Sequence, residues 1–128
     1  MKNTATFKID RLPVSENDAV RMTPRGGYKT RKYQEWEEYV GYTVKEVVIE
    51  ISEWYGVEII YYFPLYCKNG NIKRKDHKNM DKYAIDTTIK KLVDSNGEKI
   101  DDCRIIESSE CKVDSKDERV EITYYCIG

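Results

Sequence analysis

The 128-residue chain contains 40% hydrophobic and 35% charged residues and has a formal net charge of −1. This length suits one domain with one core, and the composition excludes an intrinsically disordered chain. No apolar run approaches the roughly 20 residues of a membrane helix, and the polar residues 1–4 do not resemble a secretion signal, so we expect a cytoplasmic protein that contacts no membrane.

The first half of the chain predicts a strand, a loop and a helix. Residues 4–10 alternate polar and apolar side chains, which is typical of a half-buried strand. Residues 12–30 contain Pro, Gly and basic residues, which predict an exposed loop whose bases reach outward. Aromatic residues and valines at intervals of three and four predict an amphipathic helix over residues 30–54, with Gly41 as a weak point.

The second half predicts a strand, a helix and two further strands. β-Branched and aromatic residues over 57–63 indicate a buried strand, and Asn79 is a candidate N-cap for a helix that runs to about Val93. Two strands near residues 103–113 and 119–127 flank a polar turn and predict a hairpin. The order β-α-β-α-β-β is that of one α+β domain in which a mixed sheet carries two helices.

The four cysteines lack CxxC spacing and lie in apolar stretches of the sequence. This pattern predicts reduced core residues rather than a disulfide framework or a zinc site. These residues are Cys67, Cys103, Cys111 and Cys126.

Charge is distributed unevenly along the chain. Residues 21–32 carry five bases and no acid, and residues 68–82 carry six bases against two acids. Residues 94–121 instead hold ten acids and five bases. Such a chain can present one positive face to a polyanion, because attraction to phosphate depends on the local potential. Solvated surface loops explain the same charges, and charge alone favours that explanation.

Acids and bases meet in the segment KRKDHKNMDK, residues 73–82, which is followed by Asp101 and Asp102. Hydrolysis of a phosphodiester needs a hard cation to polarise the phosphate and to generate hydroxide, and aspartate oxygens are usual protein ligands for magnesium. An acidic pair or a basic run alone is a weak indication. A strand that leads through Lys-Arg-Lys-Asp into a helix is a more demanding combination, yet spacing alone does not favour a nuclease over a charged surface.

A family resemblance runs along most of the chain. Residues 74–82, followed by Asp86 and by Asp101-Asp102, resemble the signature of RusA-type Holliday junction resolvases. That signature is a basic run, Asp-x-Asp-Asn, a lysine three residues after the asparagine, and a later Asp-Asp. Residues 12–17, LPVSEN, and the basic loop after them are similar to the family's N-terminal Pro-Ser-Asn region. The order of the predicted elements agrees as well.

The resemblance implies one RusA-like domain over residues 1–128. It implies a homodimer that binds four-way DNA junctions and nicks two strands symmetrically with a divalent metal, Mg²⁺ or Mn²⁺. The implied catalytic residues are Asp76, Asp102 and Lys82, and the implied metal ligands are Asp76 and Asp102, with Asp101 beside them. The implied DNA-binding residues are Lys73, Arg74, Lys75, Lys78, Arg25, Lys29 and Arg31.

Lys78 departs from the pattern, because it occupies the second aspartate of Asp-x-Asp-Asn. The replacement changes the charge at the expected metal position by about two units. Asp81, Asp101 or a water would then have to complete the coordination shell, or the ammonium stands where a second cation would sit. Two alternatives follow: a catalytically impaired branched-DNA-binding protein of the same fold, and a non-enzymatic interaction module whose charged clusters are only surface.

Simpler roles are open for each of the key residues. Asp76 can pair with a neighbouring lysine or cap a helix, and Asp102 can be a surface acid before a strand. Lys82 and Asp86 are four residues apart, as in a solvated helix pair.

Two further residues have candidate roles. His77 is the only histidine, and a polar, exposed position at the junction of strand and helix explains it more simply than catalysis does. Most of the eleven tyrosines follow the spacing of core residues. Tyr28, in the basic loop, is the preferred candidate among them for contact with DNA, since an aromatic ring can stack on unpaired bases.

Overall fold

The computed structural model describes residues 3–75 and 77–128. In this part of the chain the strands are β1 (Thr4–Ile9), β2 (Val20–Thr23), β3 (Gly26–Lys29), β4 (Val47–Ile49), β5 (Trp54–Phe63), β6 (Leu92–Asp94), β7 (Ile105–Asp114) and β8 (Arg119–Ile127). The α-helices are α1 (Glu16–Ala19), α2 (Arg31–Thr43) and α3 (Lys78–Thr88). Two 3-10 helices span Ile89–Lys91 and Asp102–Arg104. The predicted α+β class with a mixed sheet is confirmed.

The main sheet has the strand order β1-β8-β5-β7. β8 is antiparallel to both β1 and β5, whereas β7 runs parallel to β5. β5 therefore has a neighbour on each side, and its alternate residues from Tyr55 to Phe63 are buried. These side chains form one core with Trp36 and Val40 of α2 and with Met80 of α3. Helices α2 and α3 thus contribute to the core on one face of the sheet.

A buried contact fixes α3 against α2. The indole Nε1 of Trp36 donates to the backbone oxygen of Tyr83 at 3.3 Å and to the hydroxyl of Thr87 at 3.1 Å. The side chain of Thr30 caps α2 by accepting from the backbone N–H of Tyr33 at 3.3 Å. α3 therefore has a defined position above the sheet, and its outer face has a defined direction.

The helix predicted over residues 30–54 is wrong in its second half. α2 ends at Thr43, Val44 is extended, and β4 follows, paired in parallel with β6. The Val-Val-Ile run of β4 is β-branched and suits a strand, and the partner that makes it one lies more than forty positions away in the chain. The helix predicted from Asn79 to about Val93 is also too long. α3 ends at Thr88, and Leu92 and Val93 belong to β6, which pairs with β4.

The predicted hairpin of the last two strands is also wrong. β7 and β8 are not neighbours, because β5 lies between them and pairs with both. The apolar β5 gains burial in this central position, which a local turn pattern cannot reveal.

The loop predicted over residues 12–30 contains more structure than expected. It forms the short helix α1 and a hairpin of β2 and β3, which pair antiparallel. All residues of the two strands are exposed, as the composition predicted.

All four cysteines are free, as predicted, but they are not core residues. Cys67, Cys103 and Cys111 are exposed and Cys126 is half-buried. Cys111 illustrates the reason, because β7 lies at the edge of the sheet and most of its side chains face solvent. None of the described helices combines the length and the apolar character needed to cross a membrane.

Candidate functional site

The outer face of α3 presents three charged residues at intervals of four. Lys78 and Lys82 are exposed and Asp86 is half-buried, so they lie along one side of the helix. The opposite side is buried in the core through Met80, Tyr83, Ala84, Thr87 and Thr88. Asn79 is the second residue of α3, and His77 holds the N-cap position, so the N-cap predicted at Asn79 is wrong.

Asp86 and Asp102 come from distant parts of the chain, yet the charge of one acts on the other. Burial raises the pKa of the Asp86 carboxyl, and the negative charge of Asp102 raises it further. The ammonium groups of Lys82 and Lys90 act in the opposite direction and favour the charged form. The structure therefore brings Lys82, Asp86 and Asp102 into one electrostatic cluster.

The two acids of Asp101-Asp102 have different surroundings. Asp101 is the N-cap of a 3-10 helix, and its Oδ1 accepts from the backbone N–H of Cys103 at 3.1 Å. This hydrogen bond, followed by one with Asp102, lowers the pKa of the Asp101 carboxyl. Asp102 is the first residue of the 3-10 helix that precedes β7, and its side chain is exposed, so the strand predicted from about residue 103 begins slightly later, at Ile105.

Asp81 belongs to a separate buried cluster that the sequence did not reveal. Its Oδ1 accepts from the hydroxyl of Tyr61 at 2.5 Å and lies 3.7 Å from Nδ1 of His77. Burial raises the pKa of the Asp81 carboxyl, and Glu110 on β7 adds to this effect, whereas Tyr61 and His77 lower it. The signal that was available is the inward position of Tyr61 on β5, since a buried hydroxyl needs an acceptor.

His77 is not the exposed polar residue that was predicted. Its side chain is 18% exposed, and its ring stacks on Tyr61 with the ring centres 5.7 Å apart. Nδ1 is buried and has no hydrogen-bond partner within residues 3–75 and 77–128. His77 therefore helps to fix the start of α3 against β5.

Arg74 and Lys75, from the second basic segment (residues 68–82), line a cavity of about 510 Å³ together with residues 11–15 of the N-terminal segment. Arg11 and Lys32 add two further bases to its lining, and Asp18 and Glu35 add two acids. The backbone of the segment is held in place, because Lys73 donates to Leu65 and Lys75 accepts from Lys112. The cavity joins the two stretches of sequence that resemble the resolvase family.

Two bases of the first basic segment (residues 21–32) form ion pairs with nearby acids. The ammonium of Lys29 pairs with Glu37 at 3.1 Å, and the guanidinium of Arg31 pairs with Glu35 at 3.2 Å. Arg25 lies in the exposed turn between β2 and β3. Lys29 and Arg31 remain exposed, by 53% and 91%, so these bases reach outward as expected, although each is paired with an acid of α2.

The carboxylate oxygens of the cluster suit a hard cation, although the described residues give only part of a donor set. Asp76, the first implied metal ligand, lies outside the described residues. Among residues 3–75 and 77–128, no three His, Cys, Asp or Glu side chains are grouped so that they could hold a metal ion. No protein-family model matches the chain, and no curated protein matches it either.

Proposed function

We propose that this protein is a RusA-like, metal-dependent endonuclease that resolves four-way DNA junctions. One observation carries the proposal: Asp102, from a segment far along the chain, is near enough to Asp86 on the outer face of α3 for its charge to raise the pKa of that carboxyl, against the effect of Lys82. α3 begins three residues after the basic run of residues 73–75, so the chain leads from these bases into the helix that carries Lys82 and Asp86. Acids that hold a metal, together with bases that hold the phosphate, are what hydrolysis of a phosphodiester requires.

A divalent cation would be held by Asp102 and Asp76, with Asp86 and Asp101 beside them. Such an ion would supply a polarised phosphate and a hydroxide nucleophile at neutral pH. The cluster fits a cation in one respect that is visible at Asp86. Burial and the charge of Asp102 both disfavour ionised Asp86, and a nearby positive charge would relieve that cost.

The lysines and arginines of the site have separate tasks in this proposal. Lys82 is exposed beside Asp86, where its ammonium would stabilise charge that develops on the phosphate. Lys73, Arg74 and Lys75 would hold the DNA backbone, and the fixed backbone of this run would keep their direction constant. Arg25 and Arg31 would extend the contact from the first basic segment.

Lys78 supports a second candidate function, which is binding of branched DNA without efficient cutting. It lies on the same face of α3 as Lys82 and Asp86, where the sequence signature has an aspartate. An ammonium there removes an anionic ligand and repels the metal, yet it adds a phosphate contact. As a resolvase the protein would be a homodimer, because one site per subunit must act on two opposed strands, and a binding protein of the same fold would keep that dimer. A cytoplasmic location is part of the same proposal.

A labelled four-way junction incubated with and without Mg²⁺ or Mn²⁺ tests binding and cutting together. We expect binding that is tighter for the junction than for a linear duplex, that weakens steeply with salt, and that comes from a dimer in light scattering. We expect symmetric nicks only when metal is present. Asp102→Asn should reduce nicking by roughly a hundredfold or more and leave junction binding equal or tighter, because a metal ligand and a negative charge are lost together.

Several results would reject the proposal. Equal affinity for junction and linear duplex would argue against a resolvase, and so would a strictly monomeric protein with DNA present. Full nicking activity of Asp102→Asn would show that the metal does not need Asp102 as a ligand, and it would place the chemistry elsewhere. Junction binding by a dimer, without nicks at any metal concentration, would favour the second candidate.

A further inference from the structure

The hairpin of β2 and β3 exposes apolar side chains within a basic segment. All eight of its strand residues are exposed. The large apolar residues among them are Val20, Met22 and Tyr28, with exposures of 40%, 78% and 55%. Exposed side chains of this size and number on one small hairpin point to a contact surface.

The base of the hairpin is firmly attached, which gives its tip a defined direction. Ala19, directly before β2, is fully buried and packs with Tyr33 of α2 and Tyr83 of α3. Thr30, directly after β3, donates its backbone N–H to the oxygen of Ala19 at 3.0 Å. The hydroxyl of Thr30 also donates to the backbone oxygen of Asp18. The two strands therefore project from a small core of their own.

The two faces of the hairpin differ in chemistry. On one face Met22 is paired with Gly27, and a Cβ at Gly27 would lie 3.1 Å from both the sulfur of Met22 and a methyl of Val20. The two apolar side chains thus lie across the bare backbone of Gly27 and form a thin apolar edge. On the other face Arg21 is paired with Tyr28.

The acids near the hairpin lie at its base and leave the tip positive. Lys29 pairs with Glu37, and Lys32 lies 3.7 Å from Asp18. For Arg21 and Arg25, nearer the tip, the described part of the chain contains no ion pair within 4 Å. The tip therefore combines two guanidinium groups with an apolar edge and an aromatic ring, and no acid lies between residues 19 and 34.

We infer that this hairpin is a wedge that inserts Met22 and Tyr28 against unstacked bases at the branch point of DNA. Methionine is one of the apolar residues that wedge between base steps, and an aromatic ring stacks on a base of any sequence. Arg21 and Arg25 supply the attraction to the flanking phosphates. The polyanionic partner follows from the charge of the tip, and its branched form rests on the proposed function.

The test compares a four-way junction with a linear duplex of the same sequence in metal-free buffer, so that no cutting is required. Met22→Ser combined with Tyr28→Ser should lower junction affinity about tenfold and change duplex affinity little, because only the junction offers unstacked bases. A fluorescent base analogue at the branch point should brighten with the wild-type protein and not with the variant. Tyr42→Ser is the matched control, since Tyr42 is 89% exposed on α2, and it should behave as wild type.

Failure of the wedge and failure of the proposed nuclease give different results. If the double variant keeps the wild-type preference for the junction and gives the same fluorescence response as wild type, the wedge is overturned. The proposed nuclease is unaffected by that result. Absence of metal-dependent nicks, with the fluorescence response present in wild type and lost in the variant, overturns the nuclease and supports the wedge. If the double variant loses equal affinity for duplex and junction, the wedge is also overturned. That result would indicate that Met22 and Tyr28 contact DNA of any form or another part of the protein. Circular dichroism confirms that each variant is folded.

Discussion

Asp81 and Asp86 lie on the same helix, yet the fold uses them differently. Asp81 accepts a hydrogen bond from the hydroxyl of the fully buried Tyr61 and lies beside His77, so its carboxylate lies at the edge of the core. Asp86 faces Lys82 and Asp102 at a half-exposed position. Burial raises the pKa of both carboxyls, so a raised pKa alone does not separate them. Their neighbours do, and these assign Asp81 to stability and Asp86 to the site.

The largest expected effect is on stability, in Asp81→Ala. The substitution leaves the buried hydroxyl of Tyr61 without its acceptor, which should lower the free energy of unfolding by about 1–3 kcal/mol. Urea denaturation followed by circular dichroism measures the loss. Tyr61→Phe combined with Asp81→Ala removes donor and acceptor together and should recover part of it. A loss of nicking in Asp81→Ala with unchanged stability would place Asp81 in the site instead.

Lys78→Asp tests whether Asp81 can serve as a metal ligand in place of the aspartate that the sequence signature has at position 78. If Asp81 is committed to Tyr61, it cannot replace the aspartate that the signature has at position 78. Restoring that acid should raise magnesium-dependent nicking by about tenfold and lower metal-free junction affinity a few-fold, because it attracts the metal and repels phosphate. Rates of junction nicking and gel-shift titrations, taken on the same preparation, measure the two changes. Full-rate cutting by wild type at low magnesium, unaltered in Lys78→Asp, would show that another acid already serves as ligand.

The smallest expected effect is the stability of Asp86→Ala, which is the matched partner of Asp81→Ala. Loss of the attraction to Lys82 is offset by relief from the charge of Asp102 and from burial. The free energy of unfolding in metal-free buffer should therefore change by less than about 0.5 kcal/mol. A destabilisation as large as that of Asp81→Ala would remove the distinction between the two acids.

Local patterns in the sequence predicted the elements whose partners are close or whose pattern is strong. β1 and β5 appear as expected, and so does the existence of α2 and α3. Partners far along the chain decided the rest: β4 and β6 interrupt two predicted helices, and β5 separates β7 from β8. Neither pairing leaves a local mark that distinguishes it from a helix end or a hairpin.

The candidate site was predictable only in part for the same reason. Lys82 and Asp102 were singled out by the resemblance, and the charges of both act on the pKa of Asp86, which the sequence alone pairs only with Lys82. The buried cluster of Tyr61, His77 and Asp81 depends on which face of β5 turns inward. An inward Tyr61 indicates that its hydroxyl needs an acceptor, but the sequence around His77 does not reveal which acid supplies it.

The position of β8 also sets the order in which this chain can fold during synthesis. β1 pairs with β8, and the hydroxyls of Thr6 and Thr123, 117 positions apart, meet across that pair at 3.0 Å. β8 is also the antiparallel neighbour of β5, so β1 has no place in the main sheet until β8 has been made. Closing so long a loop makes assembly slow, and β1 must wait as an unpaired strand. A nascent chain of this protein would therefore need shielding until β8 has left the ribosome.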